Sequence, residues 1–328
     1  MKVLITGGAG FLGSHLADAL LRRGDEVCVL DPAPPDKLRH HRGDPRLHYV
    51  QRSVLNTRQL EAWLAPCDLI YHFAAVVGVA HYVGDPYQVL HVNINGTQAV
   101  LRLAWKYGKK VVFSSTSEVY GRSPQLPFEE DGERLLGSTR IDRWCYATAK
   151  QAGEHFCFAF HRRGLPVVVL RYFNVYGPRM DALDRGRVIP IFMGQLLRGE
   201  PLTVIGDGRQ TRCFTYVEDA IRATLAAGGS AAAVGEVVNI GSAEEVSIQA
   251  LAALMIELSG SRSMVKFVTP AAVYGPSYED IPRRVPSLVK MQQLLGVVAQ
   301  VPLVEGLRRT MAWFQQVACA TDGEEARR

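Results

Sequence analysis

The sequence contains no apolar run of about 18 residues, the least that carries a helix across a membrane, so a spanning protein is not expected. It also lacks a Cys-x-x-Cys pair. Its six cysteines, Cys28, Cys67, Cys145, Cys157, Cys213 and Cys319, stand far apart, which suggests neither a zinc site nor a disulfide framework. No metal is expected, and a reducing, cytoplasmic setting is. Blocks of Lys or Arg are missing too: Arg22-Arg23, Arg162-Arg163 and Arg283-Arg284 are isolated pairs, and the net charge of +5 is small for 328 residues. Nucleic acid and acidic membrane surfaces are therefore not expected as partners. The opening MKVLITGG enters a strand directly, without the charged and apolar regions of a leader. What is present, 48% hydrophobic and 21% charged residues, suits one large globular domain or two unequal ones.

The stretch VVFSSTSEVYG, Val111 to Gly121, organises the rest. Val111 to Phe113 form a run without polar alternation, as in a strand buried on both faces of a parallel sheet. Ser114, Ser115, Thr116, Ser117 and Glu118 follow at its carboxyl end, where open α/β sheets bind ligands. Alone, this could be a Ser/Thr-rich loop. Context comes from the front of the chain. Lys2 to Thr6 reads as a strand, followed by Gly7, Gly10 and Gly13 in the pattern G-x-x-G-x-x-G, with Phe11 and Leu12 inside it, and by a helical run from Ser14 to Arg23. Such a turn brings backbone N–H groups against a pyrophosphate. Glu26 to Leu30 forms a second strand ending in Asp31, near the roughly 20-residue spacing of an acid that bonds an adenosine ribose. A carboxylate there repels a 2′-phosphate, which favours NAD over NADP.

Pro32 to Arg46 reads as a surface loop, Leu47 to Val50 as a strand, Thr57 to Leu64 as a helix, and Asp68 to Phe73 as another strand. Ala74 and Ala75 at its end leave room for a cofactor's ribose and pyrophosphate, and Ser53, Val54 and Asn93 are further cofactor candidates. His72 inside that strand reads as a satisfied core histidine rather than a base. A helix follows from Val92 to Tyr107. The repeating strand-helix order predicts an α/β fold with a doubly wound parallel sheet.

Tyr146 and Lys150, four apart at the start of a helix to about His161, share one face, so an ammonium can stabilise a phenolate and lower the phenol's pKa from about 10. Pro166 to Leu170 is a further strand, after which the pattern becomes irregular, as in a smaller substrate lobe. Asn174, Arg187 and Arg212 could grip a diphosphate there. Cys213 to Val217 and Val237 to Ile240 read as strands, and Ser287 to Leu295 as a helix. The expected division is 1–172 with 213–241 for the cofactor, 173–212 with 242–320 for the substrate, and a disordered tail, 321–328.

With TGGAGFLG, HFAA, SSTSEVYG, YATAK, FNVYGPR and GDGRQTR in hand, the chain resembles the extended short-chain dehydrogenase/reductases that act on nucleotide sugars. Thr116-Ser117-Glu118 resembles UDP-glucuronate decarboxylases, although GDP-mannose 4,6-dehydratases share a similar run. The segment Ser277 to Ser287 (SYEDIPRRVPS) resembles the Arg-x-Pro-[Ser/Asp] region of the decarboxylases. It is most similar to the oxidative decarboxylase of the UDP-4-amino-arabinose pathway, as is Arg143-Trp144-Cys145-Tyr146. The resemblance implies a Rossmann sheet with bound NAD and a catalytic set of Thr116, Ser117, Glu118, Tyr146, Lys150 and Arg284. It implies a substrate set of Glu118, Asn174, Arg187, Arg212, Tyr278 and Arg284, with Arg284 serving the carboxylate or the proton that replaces it. It also implies a homodimer through the helices at Val92 to Tyr107 and Tyr146 to His161, and UDP-xylose or a UDP-4-keto-pentose as product. The alternatives are a nucleotide-sugar 4,6-dehydratase or 4-epimerase, and a non-catalytic NAD-binding module. One departure is Ser53, where relatives commonly carry aspartate to hold the adenine.

Overall fold

The computed structural model describes residues 1–180, 183, 186–274 and 279–325, without the side chains of 274 and 319–325. The first half alternates strand and helix: β1 (Lys2–Thr6), α1 (Phe11–Arg23), β2 (Glu26–Asp31), β3 (Leu47–Gln51), α2 (Thr57–Leu64), β4 (Leu69–His72), α3 (Val79–Gly84), α4 (Pro86–Lys106), β5 (Lys110–Thr116), α5 (Cys145–His161) and β6 (Val167–Tyr172). Smaller elements follow: β7 (Val175–Tyr176), α6 (Val188–Leu197), β8 (Leu202–Ile205), β9 (Thr211–Cys213), β10 (Thr215–Tyr216) and α7 (Val217–Gly229). The chain then returns to the main sheet as β11 (Val237–Ile240) before β12 (Glu245–Ser247), α8 (Ile248–Ser259), β13 (Val265–Val268), α9 (Pro270–Tyr274), β14 (Arg283–Arg284), α10 (Val289–Leu295) and α11 (Leu303–Glu325).

Seven strands, in the order β11-β6-β5-β4-β1-β2-β3, form one sheet in which every pair is parallel. Helices cover both faces, and alternate residues of one strand feed two cores: Val3 and Ile5 pack with α1 and α7, and Leu4 with α2, α4 and α5. Parallel strands all end on one edge, and the order reverses between β1 and β4, so the crevice for a ligand opens there.

Local differences from the sequence reading have identifiable causes. The helix expected from Val92 begins at Pro86, because the Asp85 carboxylate accepts from the Gln88 amide and Pro86 takes the first turn. The short helix α3 before it was not anticipated. Strand β5 runs through Thr116, so the hydroxyls begin within the strand and not after it. The strand expected over Cys213 to Val217 is two. The Asn174 amide donates to the Cys213 carbonyl and the Thr215 hydroxyl to the Phe173 carbonyl, so pairing passes from β12 and β14 to β7 at Phe214. Helix α11 continues to Glu325, into the segment expected to lack order from Thr321 onward, and residues 326–328 lie outside those described.

His72 ends β4, buried as a neutral imidazole. Thr97 donates its hydroxyl to the Asn93 carbonyl at 2.6 Å, so it can only accept from His72 Nε2, at 3.1 Å. Thr6 accepts from the Ala74 amide and donates to Nδ1 at 2.7 Å. Both ring nitrogens are thereby satisfied with a single proton. Burial, and secondarily Lys150, lowers the imidazole to about 3. The unfolded chain, with an ordinary histidine near 6.5, binds this proton first as pH falls. Stability is therefore lost from about pH 6.5 downward, at up to about 1.4 kcal/mol per pH unit from this group. Urea midpoints at pH 6.5, 5.5 and 4.5 should fall in the wild type, and His72→Gln should remove this part of the slope.

Candidate functional site

A cleft of about 1060 Å³ runs along the carboxyl edge of the sheet, from the glycine turn after β1 to the small sheet of β12, β9 and β14. The cofactor candidates Gly7, Gly10, Phe11, Leu12, Gly13, Asp31, Ser53, Val54, Ala74 and Ala75 all line its wall. Gly10 caps α1 without a side-chain hydrogen bond, so no capping side chain competes for the amides at the helix start. The cradle is closed from behind: a Cβ on Gly13 would lie 2.4 Å from the Gly7 carbonyl oxygen, and Gly7 itself holds φ +76° against Ala74. Asp31 is 7% exposed and accepts the Ala9 amide at 3.0 Å and the Ala33 amide at 2.9 Å. Burial pushes its carboxyl up, against those two amides and Lys37. One amide on each oxygen leaves lone pairs for a ribose hydroxyl. Ser53 Oγ accepts from the Leu55 amide, which leaves its hydrogen to give. Asn93 does not reach the wall: its amide is committed both ways to the Val76 backbone, so it braces the loop after β4.

At the other end β5 and α5 meet. Lys150 donates to the Ser114 carbonyl at 2.7 Å, and its ammonium lies 5.9 Å from the Tyr146 ring centre. Burial lowers Lys150 to about 8. The expected depression of Tyr146 is not found: burial, then the Glu118 carboxylate, pushes the phenol well above its ordinary range, with Arg187 opposing. The cause is geometric, because the lysine is spent on a backbone carbonyl and Tyr146 stacks on Tyr82 at 4.7 Å, inside an apolar cluster.

Glu118 is the second residue of the turn 117–120, where its amide donates to Thr116 Oγ1 at 3.3 Å. Its carboxylate lies 2.5 Å from Arg143 Nη1 and 3.9 Å from Arg284. Burial alone would raise its pKa, but Arg143, Arg284 and Arg212 hold it below the usual carboxylate range. Arg284 and Arg212 face each other across the β14–β9 ladder, which brings both to the cleft. Burial, then Arg212, lowers Arg284 to about 10, and its buried Nε has no partner among the described residues. Arg212 and Asn174 both line the cleft; Arg212 is braced by the Thr211 and Ile281 carbonyls and by Asp280, and the Asn174 amide nitrogen donates to the Cys213 carbonyl. Arg187 is on the wall, over the Phe11 ring. Ser117 lines the cleft and is buried, and Tyr278 lies outside the described residues. Sequence reading missed Arg143 as the partner of Glu118, although it stands directly before Trp144-Cys145-Tyr146. Glu154, which takes Ser115 Oγ at 2.5 Å and Arg171 through two bonds, was also missed. Its signal is the four-residue step from Lys150 along α5.

A model of the NAD dependent epimerase/dehydratase family matches residues 3–241. The chain belongs to this family. Its cofactor is accordingly NAD, which the glycine cradle, the uncapped helix start and Asp31 fit. This family member is 40% identical, over 96% of its length and 98% of the relative's, to a UDP-N-acetyl-alpha-D-glucosaminuronate decarboxylase of Bacillus cytotoxicus. It is 37% identical, over 96% of its length and 72% of the relative's, to UDP-glucuronic acid decarboxylase 1 of Xenopus tropicalis. Among solved structures it resembles a UDP-glucuronic acid 4-epimerase from Bacillus cereus in complex with UDP-glucuronic acid and NAD, at TM-score 0.86 and 33% identity, covering 97% of this chain and 100% of that one. No helix among the described residues is long and apolar enough to cross a membrane.

Gly13→Ala should force the turn away from its present path. Fluorescence titration should show NAD affinity reduced by at least tenfold, on the order of the 1.4 kcal/mol that one displaced backbone contact costs.

Proposed function

We propose that this family member decarboxylates UDP-glucuronate through oxidation at C4, giving UDP-xylose or a UDP-4-keto-pentose. The observation that carries the reading is the sugar end of the cleft, where Arg143, Arg212 and Arg284 stand against two carboxylates, Glu118 and Asp280, beside Tyr146 and Lys150. That excess of fixed positive charge suits a substrate bearing its own carboxylate, and both relatives named above carry the names of decarboxylases.

NAD, when bound, supplies a reversible acceptor for the C4 hydride. Tyr146 is the base for the C4 hydroxyl; its phenol is raised by burial and by Glu118, with Lys150 held by the Ser114 carbonyl, so the positive charge of a bound nicotinamide would be what lowers it. Once C4 is a ketone, the sugar is a β-keto acid, and the C5–carboxylate electron pair passes to the C4 oxygen as carbon dioxide leaves. Thr116, whose oxygen accepts from the Glu118 amide, keeps its hydrogen for that oxygen, and protonated Tyr146 provides a second donor. The proton returned to C5 does not come from Glu118, which the arginines keep ionised. Arginine is ordinarily too basic to act as an acid, but Arg284, lowered to about 10, is the loosened proton source beside it.

Incubation with NAD and either UDP-glucuronate or its 2-acetamido counterpart should release carbon dioxide, faster from the former, with Tyr146→Phe slowing release by about 10²–10⁴-fold while NAD affinity is kept. Recovery of a C4 epimer or of a dehydrated sugar in place of carbon dioxide overturns the assignment.

We also propose a cytoplasmic homodimer joined through α4 and α5. The two helices pack on each other and leave Leu90, Ile94, Phe156 and Phe160 only half-buried, and the five described cysteines are free, as suits a reducing compartment. Size-exclusion chromatography at micromolar protein should give twice the chain mass, and a monomer overturns the pairing.

A further inference from the structure

Away from the cleft, Asp18 on α1 meets His40 and His41 in the turn 36–41. His40 Nε2 lies 2.9 Å and His41 Nε2 2.8 Å from the same oxygen, Asp18 Oδ1. The two rings are 4.2 Å apart, and one ligand atom from each of the three residues lies within 4.8 Å of the others. The other Asp18 oxygen, Oδ2, takes Arg179 Nη2 at 2.5 Å, and the same nitrogen lies 2.8 Å from His15 Nδ1. Arg179 also donates to the Lys37 carbonyl at 3.0 Å. One carboxylate oxygen is thus braced from behind, and the other is presented to two imidazole nitrogens. The Asp18 and His41 side chains are 16% and 19% exposed, and that of His40 is 47% exposed, so the cluster opens to water on one side. None of the three residues lines the cleft.

We propose that Asp18, His40 and His41 bind a divalent transition-metal ion of the zinc class. Two imidazoles directed at one carboxylate oxygen form two partly solvated hydrogen bonds, and a single cation can replace both protons with direct bonds. Zinc takes nitrogen at about 2.0–2.1 Å and carboxylate oxygen at about 2.0–2.2 Å, which places tetrahedral ligand atoms roughly 3.3 Å apart. The two nitrogen-to-oxygen spacings of 2.9 and 2.8 Å open to that value by about half an ångström, and the exposed His40 side chain has room to turn its nitrogen toward the ion. Nitrogen ligands exclude a dedicated calcium or magnesium site, since those ions demand oxygen. Three protein ligands leave the fourth position to water, and Arg179 is the outer partner that orients the carboxylate. Its positive charge, like that of Lys37 nearby, keeps affinity below that of a closed four-ligand site. The ion ties α1 to the turn whose Asp36 and Lys37 stand at the cofactor end of the cleft wall.

The experiment is titration of untagged protein, stripped of metal by a chelator, with Zn²⁺ in a calorimeter and with Co²⁺ by visible absorption. One ion per chain is expected, with a melting temperature that rises with the Zn²⁺ concentration. The double variant His40→Ala/His41→Ala should weaken binding by at least tenfold. Asp18→Asn, which keeps the side chain's size and a hydrogen-bonding oxygen, should weaken it as well. No saturable binding by the wild type, or unaltered affinity in both variants, overturns the site. The readout is ion binding, so it stands or falls separately from the sugar chemistry.

Discussion

Helix α5 is pinned to strand β5 at two buried points, and the cleft depends on both. The Lys150 ammonium holds the Ser114 carbonyl, and one turn later the Glu154 carboxylate takes the Ser115 hydroxyl while binding Arg171 of β6 through two parallel bonds. A charge removed from water at such sites costs several kcal/mol unless its hydrogen bonds are completed, and losing one partner strands the other. Here they are completed: Arg171 also donates to the Glu130 carbonyl and lies over the Tyr120 ring. The register of Tyr146 against the carboxyl end of the sheet is therefore fixed by polar contacts that tolerate little displacement.

The same balance, unevenly filled, sets the character of the sugar end. Glu118 is faced by Arg143, Arg212 and Arg284, so its negative charge is secure; Arg212 is also paired with Asp280, and Arg284 is buried with its Nε short of a hydrogen-bond partner among the described residues. Arg284 has Glu118 as its counter-charge at 3.9 Å, but a buried guanidinium with an incomplete set of hydrogen bonds costs the fold stability. Tyr146 sits at the junction, raised by its apolar surroundings and by Glu118, so its acidity is governed by whatever charge arrives beside it.

Much of this was legible from short-range pattern. The glycine turn, Asp31 and the tyrosine-lysine pair each express a local spacing that the helix and strand periods translate directly into neighbours, and the parallel sheet follows from the strand-helix alternation. Other features were not legible. That Asn93 serves the Val76 backbone, that Asn174 and Arg212 are tied to protein carbonyls, and that Arg143 reaches Glu118 are contacts between segments whose approach no local period encodes.

The sequence by itself determined the order of elements, the sheet and the identity of the residues at its carboxyl edge, because buried strands and amphipathic helices are specified by repeats of two and 3.6 residues. Only the tertiary structure decided the protonation of the site. Those pKa values come from burial and from charges brought together across tens or hundreds of residues, and so Lys150 steadies a carbonyl, Tyr146 is raised where proximity in sequence alone would lower it, and Arg284 is lowered by burial and by Arg212.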